Sequence, residues 1–99
     1  MIRFIRTVTM APGITAQGIG FAHEMAAHLK NTLGLSTQVM VAVGGNPQRI
    51  GWYYECEDLA ALDQGLQRMN ADPTYHQMSS RTTDFFVAGS FEDTIWRSI

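Results

Sequence analysis

The stretch Thr37-Gln38-Val39-Met40-Val41-Ala42-Val43-Gly44-Gly45-Asn46-Pro47-Gln48-Arg49-Ile50-Gly51-Trp52-Tyr53-Tyr54-Glu55-Cys56 decides the architecture. Thr37, Val39, Val41 and Val43 place β-branched side chains at alternate positions, the two-residue period of a strand. Gly44-Gly45-Asn46-Pro47 then gathers turn formers, and Arg49 to Cys56 follows as a hairpin partner. A phosphate loop is the poorer reading of the glycines, because they join two strands and no Lys-Ser/Thr or helix start follows.

Working outward, each arm of the hairpin meets a helix and then a strand. On the N-terminal side Ile19, Ala22, Met25, Ala26, Leu29 and Leu33 form one helical stripe. Thr15 is the N-cap candidate and Gly34 sits where a left-handed C-terminal residue belongs. Before it, Ile2 to Met10 alternates, with Ile2, Phe4, Val8 and Met10 on one face, and Ala11-Pro12-Gly13 ends the strand. On the C-terminal side Asp58 caps a helix with the stripe Leu59, Leu62, Leu66 and Met69, and Asp72-Pro73 restarts a short helical turn. Asp84 to Phe91, with Phe85, Phe86 and Val87, reads as the last strand. Glu92 to Ile99 reads as an amphipathic tail whose Thr94, Ile95, Trp96 and Ile99 pack on their own subunit or across an interface.

The order β, α, β, β, α, β over residues 1–99 predicts one ferredoxin-like α+β domain: an antiparallel sheet with both helices on one face. The uncovered face then carries Ile5, Met40, Ala42, Tyr53 and Phe86 among Arg3, Thr7, Gln38 and Glu55, and is apolar enough to call for a second sheet. A chain of 99 residues also buries a modest fraction of its surface alone, so a homodimer is expected.

Charge and composition exclude several classes. Seven Lys+Arg against nine Asp+Glu, a net charge of -2, are a poor footprint for nucleic acid. The one cysteine, Cys56, can build neither an internal disulfide nor a multi-cysteine zinc site, which fits a reducing cytoplasm. No apolar run is long enough to read as a membrane span, and the alternating N-terminus does not read as a secretory leader.

Arg6 is the odd residue of the first strand, sharing the face of Ile2, Phe4 and Val8, where a buried cation needs an anion. That anion is a ligand carboxylate or enolate, or an internal partner such as Glu24, unless a bulge turns Arg6 outward. Alternation places Trp52 and Tyr54 beside Arg6, where they either orient an aromatic ligand or fill the core. His23 and His28, five apart, lie on different helix faces and do not make a zinc pair, so no metal is expected. His76, after the Asp72-Pro73 break, and His28, beside the apolar stripe, are the candidates for a general base, with a solvated surface histidine as the bland alternative. Cys56, beside Glu55, Glu57 and Asp58, reads as inert.

Several motifs together resemble the dimeric α+β barrel superfamily of antibiotic-biosynthesis monooxygenases and NIPSNAP-like proteins, and within it a branch of small uncharacterised proteins. They are Ala11-Pro12-Gly13-Ile14-Thr15-Ala16, Val43 through Trp52, Asp58-Leu59-Ala60-Ala61-Leu62, Ala71-Asp72-Pro73-Thr74-Tyr75 and Gly89 through Arg97. The resemblance implies two sheets packed across a two-fold axis, a pocket between helices and sheet in each subunit, and, in oxidising members, a substrate that activates oxygen without metal or flavin. Haem-degrading members carry an Asn on the first strand, where this chain offers Arg6 or Val8, and a His closer to the Trp than His76 is to Trp52.

Two functions follow as expectations. The first is a cofactor-free, small-molecule-binding homodimer with monooxygenase-like or isomerase-like chemistry. Arg6, Trp52 and Tyr54 would hold an aromatic or carboxylate ligand, and His76 or His28 would serve as base. The second is a non-catalytic interaction module with a filled core and an exposed apolar tail. A cavity of several hundred Å³ separates them.

Overall fold

A computed structural model describes residues 1–99. Its elements are β1 (Ile2–Thr9), α1 (Thr15–Leu33), β2 (Thr37–Val41), β3 (Arg49–Cys56), α2 (Leu59–Ala71), α3 (Pro73–Ser79) and β4 (Glu92–Arg97), with a 3₁₀ turn at Thr82–Asp84. The sheet is antiparallel throughout, in the order β2-β3-β1-β4, which is the ferredoxin-like arrangement.

Local chemistry accounts for most element ends. Gly34 has φ 70° and its N–H donates to Leu29 O, closing α1 in the left-handed conformation that glycine adopts without steric cost. Asp58 caps α2 by accepting from Ala61 N at 2.8 Å. Asp72 does the same for α3, accepting from Tyr75 N at 3.0 Å, with Pro73 at the first helical position. Thr15 is not the cap of α1: it is the first helical residue, and its hydroxyl donates instead to Gln48 Oε1.

The last strand lies elsewhere than the apolar run suggests. Asp84 to Phe91 holds only the end of the 3₁₀ turn and one isolated bridge, Met10 to Phe86; Glu92–Arg97, expected as a tail, is β4 and pairs with β1. Packing is the reason. Phe85 stacks on Phe21 with centroids 4.8 Å apart, and Phe86 meets Phe21 and Trp52 edge-on at 5.7 and 6.0 Å. Two neighbouring rings that both turn into the core cannot sit in a strand, where successive side chains point to opposite faces. Phe86 is therefore buried inside and does not belong to the uncovered face.

One face of the sheet packs under the helices. Val8, Ile50 and Trp52 join Phe21, Ala22, Met25, Ala26, Leu29, Leu35, Met78 and Phe86 in the buried core. Gly51 brings the central strands together, since a Cβ there would lie 2.9 Å from Arg6 O. The opposite face carries Ile5, Met40 and Tyr53, half-buried, and Trp96 of β4, which is 62% exposed and paired with Arg3. No helix is long and apolar enough to cross a membrane.

Candidate functional site

Between the helices and the sheet lies a cavity of about 390 Å³, within the range of small-molecule sites. Thirteen of its 19 lining residues are hydrophobic, so an occupant is held mainly by apolar contact. The sheet contributes Phe4, Arg6, Trp52 and Tyr54, and the registers Arg6 to Trp52 and Phe4 to Tyr54 set these four side by side on the helix-facing side. Met25 and Leu29 of α1, with Leu66 and Met69 of α2, form the apolar wall. Gly65 of α2 is buried against Leu35, so a helix-interior glycine, unfavourable by about 1 kcal/mol relative to alanine, borders the space instead of a side chain.

Trp52 is both wall and core. It is 8% exposed, and its indole Nε1 donates to Ala22 O at 3.0 Å, so the indole N–H is already used in fixing β3 to α1. It offers a ligand its ring face and no free donor.

The polar end of the cavity is a cluster on Arg6. Arg6 Nε donates to Asp93 Oδ1 at 2.7 Å and Nη2 to Asp93 Oδ2 at 2.9 Å, a side-on bidentate pair across β1 and β4. Arg6 Nη1 donates to the Tyr75 hydroxyl at 3.1 Å, which leaves that hydroxyl its own proton to give. The hydrogen bond to Asp93 chiefly raises the Arg6 pKa further above its ordinary value; burial opposes the rise, and Tyr75 adds to it. Arg6 therefore stays charged and its charge is matched internally. The partner is Asp93; Glu24 pairs instead with Arg81 at 3.4 Å.

The histidines stand apart. His76 is exposed in the middle of α3 and its Nε2 sits 2.6 Å from Asn70 O. His28 Nε2 sits 2.5 Å from Asp72 Oδ2 and faces a separate shallow groove with Glu24, Thr74, Gln77 and Arg81. Neither His76 nor His28, the candidates for a general base, is among the residues that line the cavity beside Arg6, Trp52 and Tyr54. Cys56 lies outside it as well, its thiol pushed up by burial first and by the Asp58 charge second.

Tyr75 and Asp93 are the site residues that sequence reasoning passed over. Asp93 carried no signal of its own: Glu92 to Arg97 shows no apolar–polar alternation, and only the pairing of β4 with β1 puts its carboxylate opposite Arg6.

The fold is the one found in solved NIPSNAP-domain and antibiotic biosynthesis monooxygenase structures. A NIPSNAP domain protein from Burkholderia xenovorans superimposes with a TM-score of 0.82 at 13% identity, covering 100% of this chain and 95% of its own. An antibiotic biosynthesis monooxygenase gives 0.71 at 14% identity over 100% of this chain and 99% of its own. A variant of SnoaB, a cofactor-independent oxygenase from Streptomyces nogalater, gives 0.69 at 13% identity over 98% and 91%. No protein-family profile and no curated protein matches the chain in sequence.

Proposed function

We propose that the protein binds a small, ring-bearing, predominantly apolar molecule in the cavity under α1 and α2, and that it does so as a homodimer closed over the open face of the sheet. The observation that carries the reading is the cavity of about 390 Å³ with one polar cluster, Arg6, Asp93 and Tyr75, at its edge. Trp52 and Tyr54 bound the ring, and the Tyr75 hydroxyl meets a ligand oxygen. The alternative, an interaction module, calls for a filled core, and the cavity weighs against it. The dimer reading rests on Ile5, Met40, Tyr53 and exposed Trp96 sharing one uncovered face.

The chemistry we infer for the site is monooxygenase-like, supported by the fold shared with SnoaB, described as a cofactor-independent oxygenase. With both histidines outside the cavity, proton handling falls to the Tyr75 hydroxyl, which Arg6 Nη1 holds in place. Cys56, the one cysteine, has no disulfide partner, and we place the protein in a reducing cytoplasm on that ground.

Native mass spectrometry of protein purified from its own host tests the reading. A dimer carrying a co-purified aromatic molecule supports it, and a clean monomer contradicts it.

A further inference from the structure

A guanidinium at the polar end of an apolar cavity is by default a carboxylate receptor, because its planar N–H edge matches two carboxylate oxygens. Here that edge is taken. The Nε and Nη2 donors of Arg6 are both bonded to Asp93, at 2.7 and 2.9 Å, and Nη1 is bonded to Tyr75. Asp93 and Arg6 both line the cavity. Arg6 is set deeper, its side chain 29% exposed against 43% for Asp93, so loss of the carboxylate would leave the cation in the cavity wall.

Resting on the ligand-cavity reading above, we propose that Asp93 is the specificity-determining residue of the site. It fills the bidentate edge of Arg6, so the cavity takes a neutral ring compound bearing a hydroxyl or carbonyl oxygen and turns away the corresponding carboxylate. A ligand carboxylate meets a guanidinium whose best donors are engaged and, beside it, a like charge. Rejection by an unfavourable neighbour is as effective in setting specificity as attraction to the right one. A neutral oxygen meets no such opposition: it accepts from the Tyr75 hydroxyl, whose oxygen already accepts from Arg6 and whose proton is left to give.

The test compares two probes of the same ring, 2-naphthol and 2-naphthoate, titrated calorimetrically at neutral pH into the wild-type protein and Asp93→Asn. The substitution is isosteric: it removes the charge and one of the two oxygens that accept from Arg6, which frees a donor on the bidentate edge. Wild type binds 2-naphthol at least about tenfold more tightly than 2-naphthoate, and in D93N the ratio of affinities moves at least about tenfold toward 2-naphthoate. The double variant R6Q/D93N loses that gain, which assigns it to the guanidinium. If wild type binds 2-naphthol but takes 2-naphthoate equally well, or the ratio does not move in D93N, the specificity role is overturned and the cavity reading stands. If wild type binds neither probe, the cavity reading fails and takes the proposal with it. Asp93→Thr, a strand-compatible side chain, supplies the same comparison should D93N fail to fold by circular dichroism.

Discussion

His28 Nε2 lies 2.5 Å from Asp72 Oδ2, and this contact ties α1 to the start of α3. The same Asp72 oxygen accepts from Tyr75 N at 3.0 Å, so one carboxylate both receives α1 and caps the helix that presents Tyr75 to the cavity. The hydrogen bond from His28 is the largest cause holding the Asp72 carboxyl below the usual carboxylate range; burial opposes it and the Tyr75 amide reinforces it.

A depressed carboxyl pKa stabilises the fold above the unfolded value and loses that contribution as pH falls through the folded one. Urea midpoints of wild type and Asp72→Asn, which keeps a capping side chain, should therefore differ steadily above about pH 4 and converge below it. A difference that persists unchanged into strong acid contradicts the role given to the Asp72 charge.

Trp52 joins β3 to α1 through its hydrogen bond to Ala22 O and packs edge-on against Phe86. Trp52→Phe removes one hydrogen bond and part of a ring, and should cost about 1–3 kcal/mol. Trp52→Ala should cost about 3–5 kcal/mol, measured by chemical denaturation.

Tyr75→Phe keeps the ring and removes the hydroxyl that meets a ligand oxygen. Affinity for 2-naphthol should fall by about 1 kcal/mol, roughly fivefold, with the thermal midpoint little changed. An unchanged affinity would remove Tyr75 from the binding cluster.

A charge on the open sheet face should be intolerable to a dimer that closes over it. Met40→Asp lies on that face, away from the cavity, and should sediment as a monomer where the wild type sediments at twice the chain mass. A variant that stays dimeric would place the interface elsewhere.

The sequence carried the hairpin, both long helices and most of their ends because each rests on local chemistry: alternation at Val39 and Val41, Gly34 at a left-handed position, Asp58 and Asp72 at caps; the start of α1, expected to be capped by Thr15, has no side-chain cap. The fourth strand was not legible in the same way. Phe85-Phe86-Val87 has strand-like composition, yet stacking on Phe21 turns it into the core, a tertiary preference that a short apolar run does not reveal. Glu92–Arg97 is an exposed edge strand, and charged edge strands carry little hydrophobic period. The same error hid the site: with β4 unplaced, Arg6 lacked its true anion, and Asp93 emerges only from the β1–β4 register. Arg6, Trp52 and Tyr54 were reachable from alternation alone. That His28 and His76 miss the cavity depends on how α1 and α3 rotate about their axes, which no single-residue feature encodes.

The central claim is that the space bounded by Phe4, Arg6, Trp52, Tyr54, Leu66 and Tyr75 is a ligand site. Titration of ¹⁵N-labelled protein with 2-naphthol, followed by amide and indole chemical shifts, tests it most directly. The account predicts saturable shifts at the Trp52 indole, Tyr75 and the α1–α2 wall, with Trp96 on the opposite face unmoved. Shifts confined to the face of Ile5, Met40 and Trp96, or none at all as the probe nears its solubility limit, would contradict it.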